Sequence, residues 1–342
     1  MVRPAHPRPP RRDPVRIRLE EPVIHDVLAH ALHELRLACP AGGGRQPLRV
    51  LDVGSGTGES LALLRGERGG SAAVTAECQF SYLGVDVDRA AVAAARSAHP
   101  EAAFDVVDLR DGPPEGQFDL YFSCTAPYSR LKPEELHEVL VALFGKVVRE
   151  RHRAVFVVDV LGRYSVEWSP RWDETRWDYR AEEVPPGGRE TGGRDQLMTF
   201  FDRRSLGAVI EAASDAAGAA VVASFTDRSV LAGRHTGTKA FNPDVRPYRT
   251  LLNELASGNE RIRPEELLFE PPEAGAPDAV LAFFHDWARE WNELVREFGG
   301  DSIAEGERAR RLADGLMEQE RNQQRGLGAG HSLTATVVLD AT

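Results

Sequence analysis

The sequence predicts an α/β protein built on a doubly wound, mostly parallel sheet. Three observations carry this. Short apolar runs of strand length alternate with helical stretches between residues 48 and 160. A glycine-rich turn lies between the first run and the helix after it. A last run, His331 to Asp340, alternates apolar and polar residues as a strand does.

The elements follow in order. Leu19 to Leu37 reads as an amphipathic helix, with Val23, Ile24, Val27, Leu28, Leu32 and Leu35 at helical spacing. It stops before the turn-forming cluster Cys39 to Gly44. Leu48 to Val53 is the first strand and Glu59 to Leu64 the helix after it. Tyr82 to Val87 is a second strand, Arg89 to Ser97 an alanine-rich helix, and Ala103 to Val107 a third strand. Asp119 to Cys124, the helix Pro133 to Glu150, and Ala154 to Val160 supply the fourth and fifth strands. Such alternation implies parallel βαβ units covered on both faces.

Residues 161–200 break the pattern and read as an aromatic lid insertion without a clear period. The core resumes over 201–238, with a helix from Arg203 to Ala217 and a sixth strand from Ala220 to Leu231. Residues 239–326 are mostly helical, in runs Val245 to Ala256, Ala279 to Phe298 and Ile303 to Arg325. They are expected to form a cap or an oligomerisation insertion. Residues 327–342 bring the seventh strand, 18–160 hold the main core with its first helix, and 1–17 are expected to be a disordered basic tail.

Composition narrows the function classes. The chain has 342 residues, 42% hydrophobic and 28% charged, which excludes a largely disordered protein. Cys39, Cys78 and Cys124 are too few and scattered for a disulfide framework or a cysteine-rich zinc site, and fit a reducing cytoplasm. The opening residues carry no apolar signal region, and no apolar run is long enough for a membrane span. The net charge of −11 disfavours broad contact with a phosphate backbone. The exception is residues 1–18, with six arginines against Asp13, read as a solvated tail or a docking arm.

The motif carrying the chemistry is Asp52-Val53-Gly54-Ser55-Gly56-Thr57-Gly58, between a strand and a helix. Its glycines allow a tight turn and close approach of a ligand. Asp52 can accept hydrogen bonds from a cationic amine. Asp86, at the next strand end, can hold a ribose diol, and Asp108 follows the third strand. A nicotinamide dehydrogenase is the competing reading, but its G-x-G-x-x-G spacing differs, and Asp52 would repel a pyrophosphate. The long separation of Asp52 from Asp86 points to an extra surface loop over residues 66–81.

At these residues the sequence resembles the class I S-adenosylmethionine-dependent methyltransferases. LDVGSGTG, LGVDVD, VVDLRD and FDLYFSCTAPYS resemble that family's first four motifs over residues 46–160. The resemblance implies a seven-stranded sheet whose last strand is antiparallel. It implies S-adenosylmethionine, with S-adenosylhomocysteine as product, bound across the carboxyl ends of strands one to four. Asp52, Gly54, Ser55, Gly56, Thr57 and Gly58 would then hold the donor with Asp86 and Val87, with Asp108 and Leu109 beside the adenine and Ser123 and Cys124 under the methyl group.

The acceptor is less legible. Methyltransferases that act on amino groups of nucleic acid or of protein glutamine resemble [DNS]-P-P-[YF] in the fourth motif. Here Thr125-Ala126-Pro127-Tyr128 stands in its place, which weakens that reading. Tyr164, Trp168, Trp172, Trp177 and Tyr179 crowd the insertion, as a satellite core that fixes a lid or as an aromatic wall for substrate. With Tyr128, the first four are the candidate substrate contacts. Trp287 and Trp291 lie one helical turn apart, as a packing face or a homodimer contact. His235 is the preferred general base, with His331, Asp159 and Glu167 as further options. His137 reads as solvent-facing, and no metal site is expected. The expected function is methyl transfer to a small or medium-sized molecule, at an oxygen of a specialised metabolite. The alternatives are a peptide, protein or RNA methyltransferase, and a non-catalytic scaffold of the same fold.

Overall fold

The computed structural model describes residues 13–37, 47–66, 79–180, 195–232, 242, 244–259, 261–297 and 306–341. The strands are β1 (Leu48–Val53), β2 (Phe80–Asp86), β3 (Ala103–Val106), β4 (Leu120–Phe122), β5 (Arg153–Gly162), β6 (Arg176–Arg180), β7 (Asp195–Phe201), β8 (Ala220–Arg228) and β9 (Ser332–Asp340). The central sheet runs β3-β2-β1-β4-β5-β9-β8. The first five strands are mutually parallel, and β9 lies antiparallel between β5 and β8.

Helix α1 (Glu21–Leu37) covers one face, packing Ile24, Val27 and Leu28 on Val50, Phe122, Val155 and Val157. Helices α4 (Pro133–Glu150) and α5 (Arg203–Ala217) cover the other, over Leu51, Tyr121, Phe156 and Val158. Consecutive β5 residues thus go to opposite faces and both are buried, so a sheet covered on both sides reads as a continuous apolar run. The short α2 (Glu59–Leu64) and α3 (Arg89–Ala98) close the β2–β3 edge around Phe104.

The insertion holds two strands that its sequence did not announce. β6 and β7 pair as an antiparallel hairpin, and β7 joins the carboxyl end of β5 at Leu161 and Gly162. The helical block supplies α6 (Tyr248–Ala256), α7 (Pro264–Leu267), α8 (Asp278–Glu297) and α9 (Glu307–Asn322). Insertion and block share one hydrophobic core. Trp177 stacks on Phe200 at 4.2 Å, and Trp172 stacks on Phe284 of α8 at 5.9 Å.

The amino-terminal boundary also differs from expectation. Asp13 to Ile17, expected in the tail, are built into the fold, because Val15 is fully buried and Asp13 pairs with Arg249 at 3.0 Å. The backbone N–H of Val15 donates to Asn253 of α6. Residues 1–12, and 67–78 of the expected surface loop, lie outside the described residues.

Candidate active site

The donor loop leaves the carboxyl end of β1 and enters α2. Gly54 and Gly56 have φ of +69° and +53°, a left-handed backbone that favours glycine. A Cβ on Gly54 would stand 2.5 Å from Pro127 Cβ, so the loop and the turn after β4 are packed against each other. A Cβ on Gly56 would meet nothing within 4 Å. That open side is where a ligand can approach the backbone.

Asp52 is fully buried behind the loop. Its Oδ2 accepts the Tyr82 hydroxyl at 2.5 Å, while Oδ1 has no hydrogen-bond partner among the described residues. Burial pushes its pKa up to about 7, with the Tyr82 hydroxyl opposing. Ser55 Oγ is likewise buried without a partner, whereas Thr57 is exposed.

Asp86, half-buried at the end of β2, accepts the Gly56 N–H at 3.0 Å and the Asp88 N–H at 2.9 Å. These bonds fix the carboxylate beside the loop, where a diol can be held. Val87 follows it with half its surface exposed, an apolar side chain available to a flat ring. Asp108 is turned to another task. Both its oxygens are taken by Arg110, at 2.6–3.1 Å, and that guanidinium holds its carboxyl below the usual range. Leu109 is half-buried against the main core.

Below the fourth motif the structure corrects one expected donor contact, Ser123. The Ser123 hydroxyl donates to Val157 O at 2.8 Å and accepts the Asp159 N–H at 3.0 Å, so it ties β4 to β5. The Cys124 thiol is buried at 3.5 Å from Ser60 Oγ, although the residue lines the adjoining cleft. Tyr128 is buried beside the loop, and burial raises its phenol.

The expected substrate wall is corrected more strongly. Tyr164, Trp168, Trp172 and Trp177 are at most 5% exposed and pack on one another and on the helical block. The indole N–H of Trp168 donates to Gly162 O, and that of Trp172 to Ser165 O. These rings form a supporting core. Trp287 and Trp291 face the same core, so the apolar face considered for a dimer is covered within the chain.

The base candidates separate. His235 lies outside the described residues. Glu167 and His331, 164 positions apart, meet at 2.6 Å in a buried pair, with Tyr179 Oη at 3.5 Å from the second ring nitrogen. They fasten the insertion to the start of β9. The Asp159 carboxylate is fully occupied: it accepts from Ala126 N at 2.8 Å, Arg228 Nη2 at 2.6 Å and Thr334 Oγ1 at 2.9 Å. His137 is half-buried on α4.

A cleft adjoins the donor loop. Its walls include Leu19, Val23, Leu63, Thr125, Arg228 and Ser229. Arg16, Leu19 and Glu20, from the segment 13–20, line it as well. Arg16 ties this segment to Glu59, the first residue of α2, at 2.7 Å, and Arg249 ties it to the helical block through Glu20 at 2.8 Å. Sequence reasoning did not single out Arg16, Glu20, Glu59 or Arg228. Nothing in their local pattern marks them, since each is placed by partners distant in the chain.

Among the described residues no helix is long and apolar enough to cross a membrane, and no group of His, Cys, Asp and Glu could hold a metal ion.

The family model of a methyltransferase domain matches residues 50–149, from β1 through α4. No curated protein matches the chain. Among solved structures, an S-adenosylmethionine-dependent methyltransferase from Clostridium acetobutylicum is 10% identical, with a TM-score of 0.42, over 63% of this chain and 86% of that one. An amino pentose methyltransferase from Micromonospora echinaspora is 18% identical, with a TM-score of 0.39, over 59% and 85%. A methyltransferase from Archaeoglobus fulgidus is 13% identical, with a TM-score of 0.39, over 94% of both chains. None is close enough to carry an argument about substrate. The glycine loop open at Gly56, the buried Asp52 and the fixed Asp86 all lie within the stretch 50–149 that is similar to a methyltransferase domain.

Proposed function

We propose that the enzyme methylates a discrete small or medium-sized molecule, a specialised metabolite, at an oxygen. The observation that supports this is the cleft beside the donor loop, lined by Arg16, Leu19 and Glu20, a segment that ion pairs tie to α2 and to the helical block. About 40 Å³ is open within it, so an acceptor must displace part of this segment to enter, which suits a discrete molecule better than a polymer lying across a surface.

The bound donor supplies an electrophilic sulfonium methyl. The chain's part is to hold it, aim an acceptor at it and keep water out. Asp52 and the backbone of Gly54 to Gly58 would hold its amino-acid end, and Asp86 its ribose. Leu19, Val23 and Leu63 offer the acceptor an apolar wall, with Thr125 and Ser229 as polar handles. The turn after β4 supports oxygen over an amine. Thr125 Oγ1 is the donor in a 3.4 Å contact with Gly54 O, and Ala126 has no polar side chain. That turn has no Asn or Asp to orient an amino group.

A hydroxyl acceptor must give up a proton. His235 is proposed as its base, in the stretch that leaves β8 soon after Arg228 and Ser229 of the cleft wall. The test is a mass-spectrometric screen of hydroxylated and amino small molecules with S-adenosylmethionine. Gain of one methylene unit on a hydroxyl compound is the expected outcome, and methylation of amines alone would reject the oxygen reading. With that acceptor in hand, His235→Ala should lower turnover by about 10²-fold or more at unchanged donor affinity. Unchanged turnover would remove His235 from the mechanism.

A further inference from the structure

We propose that Arg228 and Asp159 are positioning residues that hold the turn after β4 against the donor loop. This rests on the donor site described above.

The pair is buried: Asp159 is fully enclosed and Arg228 is 6% exposed, with Nη2 at 2.6 Å from Oδ2. Arg228 Nη2 also donates to Cys124 O at 3.1 Å. The same Asp159 oxygen accepts the Ala126 N–H, and its other oxygen accepts the Thr334 hydroxyl. The Asp159 backbone N–H bonds Ser123. The ion pair thus grips the turn at Cys124 and Ala126, and the Asp159 backbone holds Ser123.

The turn needs that grip. Ala126 has φ of +51°, in the left-handed region, where a non-glycine residue persists only if its surroundings impose it. The following residue, Pro127, rests on Gly54, which any side chain would push away. The physical path therefore runs from Arg228 through Asp159 and Ala126 to Pro127 and the glycine loop. A buried ion pair is a poor way to add stability, because desolvation offsets most of the attraction. Its use here is geometric. Removing a partner would let Ala126 relax to negative φ and draw Pro127 off Gly54.

The test measures S-adenosylhomocysteine affinity by calorimetry, well below each variant's melting temperature, for the full chain and for Arg228→Gln, Arg228→Lys and Thr334→Val. The expected result is an affinity loss of about tenfold in Arg228→Gln, partial recovery in Arg228→Lys, and a loss of about threefold in Thr334→Val. Trp168→Ala serves as a destabilised control whose affinity stays near wild type. Should Arg228→Gln fail to fold, Thr334→Val carries the test, since it removes one bond to Asp159 and leaves the charges paired. Folded variants that melt lower but bind within about twofold of wild type would overturn the proposal and leave the pair a stabilising brace. Failure of the wild type to bind would instead reject the donor site itself.

Discussion

The donor loop and the cap hold ligand space by opposite means. At the loop, glycine leaves the backbone bare: Gly56 faces open space, and a half-buried carboxylate and an exposed valine stand beside it. In the cap, the large rings are withdrawn from solvent. Trp168, Trp287 and Trp291 are no more than 1% exposed and pack among Phe200, Phe284 and Leu316. An aromatic cluster near a candidate site need not face it. Here the rings make a rigid support, and cleft-lining is left to smaller and charged residues such as Leu19, Thr125 and Ser229.

The sharpest break of this contrast is Gly56→Arg. A side chain at φ of +53° fills the open approach, so donor binding should be lost while far-ultraviolet circular dichroism stays native. Retained binding would move the donor elsewhere. The reciprocal change, Trp168→Ala, should cost about 3–5 kcal/mol in denaturant unfolding, because it empties a fully buried site. It should leave donor affinity close to wild type. A large loss of affinity at low temperature would show that the cap touches the donor site after all.

Asp86→Ala should weaken donor binding by about 1–3 kcal/mol, the range for hydrogen bonds to a charged group. It removes the acceptor that fixes the Gly56 N–H as well as the proposed diol contact. Asp86→Asn should fall between, and equal affinity in all three proteins would reject the ribose assignment.

A subtler effect is pH dependence. Burial raises Asp52 to about 7, so below that pH its carboxyl is protonated in the free protein. A cationic donor favours the ionised form. Affinity should therefore fall as pH drops below about 7, by at most about tenfold per unit, with a proton released on binding. Asp52→Asn should flatten the profile. Without donor the sign reverses for stability. Asp52 and Glu320, both raised to about 7 by burial, bind protons in the fold that the unfolded chain releases near its ordinary pKa. Their contribution is full below about pH 4 and is lost as pH rises through 7. Melting the free protein from pH 5 to 8 checks it.

The donor loop lies within seven consecutive residues, and its partner acid stands at the end of the adjacent parallel strand. Chain order alone therefore places them. β1, β4 and β5 read correctly because their apolar runs are buried on both faces. The β6–β7 hairpin did not, since its pattern is broken by polar and aromatic residues that answer to a second core. The cap rings were recognisable as a cluster, but whether they lined a site depended on Phe284 and Trp287, which arrive on a helix far along the chain. Arg228 and Asp159 were invisible as a pair. Sixty-nine positions separate them, and only the antiparallel insertion of β9 between their strands brings them together.

Calorimetric titration of the wild-type chain with S-adenosylmethionine and S-adenosylhomocysteine tests whether this loop binds the methyl donor. The expected result is one-site binding of both, in the micromolar range, with affinity that falls as pH drops below about 7. Absence of heat and of any thermal shift with either ligand, in protein shown to be folded, would contradict it.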